Sequence, residues 1–450
     1  MKIDLPRELA MQILYKIENE KAYSNIVLNK EIEKNREKLS GRDIGFISEI
    51  VYGTVTWKLT IDSVIEMHSK IKLKKISPYV LAILRTAAYQ ILFLDKVPKS
   101  AAVNESVNLS KKYAYRSTGF INAILRKIEK DDLEKLENLP IKERICKRYS
   151  MPMWLLEELE EEYDLEQIEE IAIQNNKVPE LTIRINSLKT TKEELKAKLA
   201  KEGIEAVDAK LKDFLVVKGI KDISHLPLFQ NGYFTFQDQA AGLAAILVQA
   251  KPGEKVLDAC SAPGGKTTYL AERMGDKGSI NAWDLHAHRA KLIQEASDRL
   301  GIHIIHTEEK DSRVLDKKLI QTYDKILLDV PCMGIGVIRR KPDIKWTHTK
   351  DEIKEITELQ FNILHTCANY LKQGGRLVYS TCSILKEENE KNVEKFLKTK
   401  LGNEFFVENL DKIEEKELKK YEKQIEKNKY IKLLPSLEND GFFITILTRK

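Results

Sequence analysis

The sequence predicts a multidomain protein: an all-α N-terminal part (residues 1–135), a linker and small α+β part (136–236), and a C-terminal α/β part (237–450) on a mostly parallel sheet. Three observations point there. The 450 residues are about three times an ordinary domain of ~150. Apolar spacing is helical, with few Gly or Pro, as far as about Lys130. Beyond Lys255 short apolar runs alternate with amphipathic stretches, the pattern of βαβ units covered on both faces.

In the first part Leu9, Ile13, Leu14 and Ile17 recur along one helical face. Breaks are expected at Ser40-Gly41, Ser77-Pro78 and Pro98-Lys99-Ser100. In the last two a Pro stands near a helix start, where its missing N–H costs nothing. Residues 131–150, mixing acids, Pro140 and a basic cluster, read as a linker. An acidic helix is expected over 154–173, a strand over 181–185, a helix over 192–202, and β-like stretches at 214–217 and 233–236. The C-terminal part predicts strands at 255–260, 279–285, 302–307, 324–330, 375–380 and 441–448, with helices at 266–274, 288–300, 351–371 and 387–397. The highly charged stretch 398–432 reads as a solvated helix or insertion.

The longest apolar runs, 81–94 and 240–250, carry Gln, Arg, Tyr or Gly and fall short of the ~20 residues of a membrane span. The N-terminus mixes charges with no apolar h-region, so a cytoplasmic protein is expected. Net charge is only +6, but it is unevenly spread. Residues 71–130 hold 12 Lys/Arg against 3 Asp/Glu, and residues 151–170 hold nine acids and no base. The first is a candidate polyanion-binding face, or else a solvated scaffold. Five dispersed cysteines without a C-x-x-C pair argue against a disulfide framework and a zinc site. No metal is expected, and a monomer is.

Chemistry concentrates at predicted strand ends. The first strand of the α/β part runs into Asp258-Ala-Cys-Ser-Ala-Pro-Gly-Gly-Lys-Thr-Thr268, a turn whose glycines let a ligand approach the backbone. The spacing is neither G-x-G-x-x-G nor G-x-x-x-x-G-K-[ST], which disfavours a dinucleotide or a P-loop triphosphate. Asp284, at the end of the second strand, is placed to accept from ribose hydroxyls. Asp311, after the third, is placed to accept from an adenine amino group. Both could instead merely cap helices. Cys332 and Cys382 follow the fourth and fifth strands, so both thiols face the crevice beyond the strand ends. Cys146 and Cys367 read as small buried hydrophobes. Asp329 and Pro331 resemble the acidic, Pro-containing loops with which nucleic-acid methyltransferases hold a base.

Taken together, DACSAPGGKT (258–267), DVPCMGIGVIRRKPDIKW (329–346), YSTCS (379–383) with EENE (387–390), FQDQAA (236–241) and DGFF (440–443) resemble the bacterial 16S ribosomal RNA cytosine-5 methyltransferase family B, also called Sun or Fmu, over nearly the whole chain. Met333, Ile335 and Ser261 depart from the residues common there. The N-terminal part resembles the antitermination factor NusB through residues 81–113 and GRD (41–43). The resemblance implies a class I S-adenosylmethionine-dependent methyltransferase with a Rossmann-like catalytic domain and a NusB-like module that helps hold RNA.

Roles follow from the same resemblance. Cys382 would be the thiolate that adds to C6 of cytosine, activating C5 toward the methyl group of S-adenosylmethionine. Cys332 would help remove the C5 proton and release Cys382, and Asp329 would hydrogen-bond N3 and the exocyclic amine. The cofactor's methionine end would meet Ala259, Cys260, Ser261, Ala262, Pro263, Gly264, Gly265 and Lys266, with Asp329 beside it. Asp284 would take the ribose and Asp311 the adenine. A paired target base would have to be extruded. Arg339, Arg340 and Lys341 would meet flanking phosphates, with Lys111, Lys112 and Arg116 as further RNA contacts.

The expected activity is methylation of C5 of one cytosine, conventionally numbered 967, in 16S rRNA. The alternatives are a tRNA or 23S rRNA cytosine-5 methyltransferase, against which the NusB-like module speaks, and a non-catalytic RNA-binding or antitermination factor, against which the intact Asp258, Lys266, Asp329, Cys332 and Cys382 set speaks. A DNA cytosine methyltransferase would take its nucleophile from the Pro-Cys loop and lack the second Thr-Cys.

Overall fold

The computed structural model describes residues 3–20, 22–220 and 226–450. The chain forms two compact units. One comprises the residues up to Lys177 together with Ile338–Lys350, the other Val178–Val337 together with Asp351–Lys450.

The first unit is helical. Ser40 starts the helix Gly41–Thr56 with a reciprocal capping box to Asp43, and Pro78 stands in the first turn of Pro78–Phe93. That second helix is buried along most of its length, so its one arginine needs a partner. Arg85 donates two hydrogen bonds of 2.7 Å to the carboxylate of Asp62. Residues 131–150, read as a linker, instead carry the helices Asp131–Glu137 and Ile141–Arg148, whose Leu136, Ile145 and Cys146 are buried. The single acidic helix expected over 154–173 is two, Met153–Leu159 and Leu165–Asn175. Asp164 caps the second through Gln167.

Into this unit comes a segment that follows Cys332 in the chain by only a few residues. Asp343 accepts from Ser24 Oγ at 2.5 Å and from its N–H at 3.2 Å. The Trp346 indole donates to the Val55 carbonyl at 2.8 Å. The buried Lys345 donates to the Thr56 carbonyl at 2.6 Å and to Asn176 Oδ1 at 3.2 Å. Neither acceptor is charged, so burial pushes the Lys345 ammonium down to about 7.

The second unit holds two sheets. The smaller is made of β1 (Thr182–Ile185), β2 (Glu205–Asp208), β3 (Phe214–Lys218) and β4 (Phe234–Phe236), in the order β2-β3-β1-β4, all antiparallel. The sequence showed three of these. β2 (Glu-Ala-Val-Asp) lies largely exposed, without the apolar alternation that marks a strand.

The larger sheet contains β5 (Lys255–Asp258), β6 (Ser279–Asp284), β7 (Ile305–Glu309), β8 (Tyr323–Asp329), β9 (Leu371–Thr381), β10 (Phe405–Val407), β11 (Ile425–Glu426), β12 (Tyr430–Leu433) and β13 (Phe442–Arg449). Its order is β11-β12-β13-β9-β8-β5-β6-β7, with β10 on β13. The strands β7, β6, β5, β8 and β9 are parallel, and every pairing beyond β9 is antiparallel. The expectation of a mostly parallel sheet is thus corrected to a parallel half and an antiparallel half. The charged stretch 398–432 is not a solvated insertion: it supplies β10, β11 and β12 and sends Leu410, Ile413, Leu418 and Tyr421 into the core. Its charges alternate with these apolar residues, which hid them in a composition count.

Candidate active site

The strand order reverses at β5, between β8 on one side and β6 on the other, which opens a crevice beyond the strand ends. β5 delivers Asp258 there and β8 delivers Asp329. Between β5 and the helix Gly265–Arg273 the chain turns through Gly264 at φ +100°. This conformation favours glycine, and a Cβ at Gly264 would also sit a tight 3.2 Å from the backbone of Ile293. The Ser261 hydroxyl donates to the Trp283 carbonyl at 2.8 Å and the Ala259 carbonyl accepts from Ser312 at 2.6 Å, which pins the turn to its neighbours.

A cavity of about 190 Å³ lies against this turn, lined by Asp258, Cys260, Ser261, Ala262, Pro263, Gly265, Lys266 and Asp329 with Phe236 and Gln237. Asp258 is almost wholly buried. Its Oδ2 accepts from the Thr267 hydroxyl at 2.7 Å, while Oδ1 makes no hydrogen bond. Burial pushes this carboxyl up to about 7, and the charge of Asp329 adds to the effect against the Thr267 hydrogen bond and Lys266. A buried carboxylate oxygen lacking a donor, beside a backbone bared by glycine, suits a ligand that brings a cationic N–H group.

Lys266 Nζ lies 2.6 Å from Asp329 Oδ2, and Asp329 Oδ1 accepts from the Ser380 hydroxyl at 2.9 Å. Burial alone would lower the Lys266 ammonium, but Asp329 outweighs it and holds the group above its ordinary range. Beyond Asp329 stand the two thiols. β8 and β9 pair in parallel with Asp329 opposite Ser380, so the loops leaving both strands run side by side. They place Cys332 Sγ 2.9 Å from Cys382 Sγ, both cysteines being free thiols. The hydrogen bond to Cys382, then burial, push the Cys332 thiol well up.

The two loops share a brace. Glu388, fully buried, accepts from the Met333 N–H and from the Gln360 amide, each at 2.9 and 2.8 Å respectively, and its other oxygen accepts from the Ser383 hydroxyl. Gln360 also donates to the Pro331 carbonyl at 2.8 Å. Gly336 donates to the Cys382 carbonyl at 2.9 Å and accepts from Gly441 at 2.8 Å. A Cβ on Gly441 would meet the Gly336 Cα at 2.6 Å, which explains the glycine of the DGFF motif.

Other expected site residues lie apart from the cavity lining. Asp284 is buried at the end of β6, accepting from the His286 N–H at 3.2 Å with Arg289 at 3.6 Å. Asp311 is held by its own turn: the Arg313 N–H donates to it at 2.9 Å and the Arg313 guanidinium grips both oxygens, which lowers its carboxyl. Arg339 and Arg340 are half-buried with partners of their own, and Lys341 is exposed. Lys111 and Arg116 are exposed with no ion pair among the described residues, whereas Lys112 pairs with Glu8 at 2.6 Å.

One supporting residue escaped the sequence reading. Arg184 of β1 is fully buried. It donates to Gln237, to the Gly265 carbonyl at 2.5 Å, to Thr268 at 3.0 Å and to both oxygens of Glu272 at 2.8 and 3.2 Å. It thereby ties the small sheet to the start of the glycine-turn helix. An arginine in the apolar run Thr-Ile-Arg-Ile was the available signal, since such a charge is buried only with partners.

A glycine turn after the first of five parallel strands, in a sheet completed by antiparallel strands, is the fold of the S-adenosylmethionine-dependent methyltransferases. The sequence model of the 16S rRNA methyltransferase RsmB/F family matches residues 245–448, that of the NusB family residues 4–130, and that of the RsmF/B-like ferredoxin-like domain residues 151–223. The chain is 36% identical, over all of both chains, to a protein of Bacillus subtilis (strain 168) named "Probable ribosomal RNA small subunit methyltransferase B". The crystal structure of PH0851 matches all of both chains at TM-score 0.79 and 29% identity. That of a methyltransferase homolog protein from Pyrococcus horikoshii matches 67% of this chain and 100% of its own at TM-score 0.54 and 28% identity. The chain belongs to the ribosomal RNA small subunit methyltransferase B family.

Proposed function

We propose that this protein methylates C5 of one cytosine in 16S rRNA, the position conventionally numbered 967, using S-adenosylmethionine and a transient bond between Cys382 Sγ and C6. The observation that carries the reading is the pair of thiols 2.9 Å apart beside the Lys266–Asp329 ion pair. One thiol serves addition and the other elimination. The Cys382 thiolate adds to C6, and the ring electrons displaced toward C5 take up the methyl group. Loss of the C5 proton, with Cys332 assisting, then lets the C6–S bond break and returns the electron pair to sulfur. Asp329 steadies the ring: although its oxygens accept from Lys266 and Ser380, each keeps a second acceptor position for N3–H and the exocyclic amine.

S-adenosylmethionine supplies a methyl group on a sulfonium. Asp258 Oδ1 is the acceptor for its ammonium, the backbone of 259–265 and Lys266 surround its methionine end, and Asp284 takes the ribose and Asp311 the adenine. The enzyme works in the cytoplasm, as a monomer and without a metal. Bisulfite sequencing of 16S rRNA from a strain lacking the gene tests the substrate. Loss of a single 5-methylcytosine from 16S rRNA is expected, and loss from tRNA or 23S rRNA instead would overturn the assignment.

Three further outcomes are expected. Cofactor binding requires ionised Asp258, whose carboxyl is raised to about 7. Affinity should therefore be flat well above pH 7 and fall toward tenfold per pH unit below it, with proton release on binding, as titration calorimetry in two buffers of different ionisation enthalpy reads. Asp284→Ala should weaken binding by about 0.5–1.5 kcal/mol through loss of a ribose hydrogen bond, measured the same way. Charge reversal at Lys111 and Arg116 should reduce the log-log salt slope of RNA binding by roughly 0.7–0.9 per lost phosphate contact, as filter-binding titrations report.

A further inference from the structure

The helical unit holds a second cavity that the methyl transfer does not use. Its volume is about 220 Å³, far above the ~10–15 Å³ that holds one water, and it has room for one bicyclic base. Leu14, Val55, Leu73 and Pro78 give it apolar walls. Among the polar side chains that also line it are Glu18, Thr54, Lys58 and Arg85.

These four are unequally committed. Arg85 is bound to Asp62 and reaches Glu18 at 3.3 Å. Lys58 Nζ lies 2.7 Å from Glu18 Oε1 and 2.9 Å from Oε2. Burial works against ionisation of Glu18, but the two cations outweigh it and hold the carboxyl below its ordinary range. The Glu18 side chain nevertheless stays 36% exposed. Thr54 is 2% exposed and its hydroxyl makes no hydrogen bond. A buried hydroxyl left unpaired on a cavity wall is a position a ligand would satisfy. Lys74 lines it too, and Lys72, Lys74 and Lys75 are exposed with no ion pair among the described residues.

We propose that this cavity receives one unstacked guanine of the bound RNA, an inference that rests on the RNA-substrate reading above. Guanine alone among the four bases presents two adjacent N–H donors, N1–H and N2–H, next to a carbonyl acceptor. A carboxylate beside an ammonium complements that edge: Glu18 accepts from the two donors and Lys58 donates to O6. Adenine and cytosine offer one amino donor beside a ring acceptor, and uracil a single N–H between two carbonyls. The apolar walls contact the faces of the base, Thr54 satisfies its hydroxyl on the ligand, and Lys74 with its exposed neighbours neutralises flanking phosphates. Sequence-specific RNA recognition takes this form, with splayed bases read on their Watson–Crick edges.

The test uses the full-length protein and a 16S rRNA transcript fragment with guanosine or inosine, which lacks the N2 amine, in filter binding. Glu18→Gln should weaken binding to the guanosine RNA about tenfold, the loss of one charge-assisted contact, and Thr54→Val about threefold. Inosine should weaken wild type but add little to the loss in Glu18→Gln. A 6-thioguanosine RNA should photocross-link to residues 14–18 or 73–78. Near-UV circular dichroism checks folding, and should Glu18→Gln unfold, Thr54→Val and the cross-link map decide. Folded variants with unchanged affinity, no guanosine preference, or cross-links confined elsewhere would overturn the guanine site while leaving the RNA-substrate reading standing. Wild-type protein that binds no RNA would overturn both.

Discussion

Cys382→Ala should, on the proposed mechanism, abolish methylation, by roughly 10³-fold or more, and leave no covalent protein–RNA adduct, because the sulfur assigned to the bond with C6 is gone. Cys332→Ala should also stop turnover but by a different route: addition and methyl transfer remain possible, elimination stalls, and methylated RNA stays attached through Cys382. The adduct should survive denaturing electrophoresis. The 2.9 Å separation of the sulfurs sharpens the comparison. Both variants lose the same S–H···S contact, so that loss does not account for a difference between them. If Cys332→Ala turns over near normally and traps nothing, Cys332 is only a packing residue beside Pro331. If the adduct accumulates in Cys382→Ala and is absent from Cys332→Ala, the roles are reversed.

Glu388→Ala should cost stability and activity together while sparing the cofactor. Its carboxylate accepts from the Met333 N–H, the Gln360 amide and the Ser383 hydroxyl, so truncation leaves buried donors unpaired in both cysteine loops. Unpaired buried groups cost ~1–3 kcal/mol each, and a total loss of about 3–5 kcal/mol should appear as a lower Tm. A cysteine displaced by about 1 Å should lower kcat about 10²-fold. Affinity for S-adenosylmethionine should be nearly unchanged, because the cavity beside the glycine turn does not include this brace. Glu388→Gln should retain much of the activity, since its carbonyl can replace the oxygen facing Met333 and Gln360 while its amide donates to Ser383. Equal damage from Gln and Ala would show that the charge, and not the hydrogen-bond geometry, is what the loops require.

Where periodicity and motif carried the information, the sequence alone determined the outcome. Helical spacing to Lys130, the break at Ser40-Gly41, and the alternation from Lys255 to Leu397 reflect local preferences that the structure follows. The glycine turn was legible because its backbone conformation favours glycine at Gly264. Motifs at two strand ends also brought Cys332 and Cys382 to one crevice, 50 residues apart in sequence, because parallel neighbours present the same end. What depends on partners far along the chain was decided only by tertiary structure. Residues 131–150 and 398–432 look like charged connections until their few apolar residues find buried positions. Asp343, Lys345 and Trp346 sit in a motif contiguous with the cysteine loop, yet their hydrogen bonds go to Ser24, Thr56, Asn176 and Val55 of the helical unit. Neither Glu388 in the EENE run nor Arg184 in Thr-Ile-Arg-Ile shows its role in the sequence, since both act through burial with distant partners. A charge becomes structural only when folding buries it with its donors and acceptors, and a one-dimensional pattern does not carry that information.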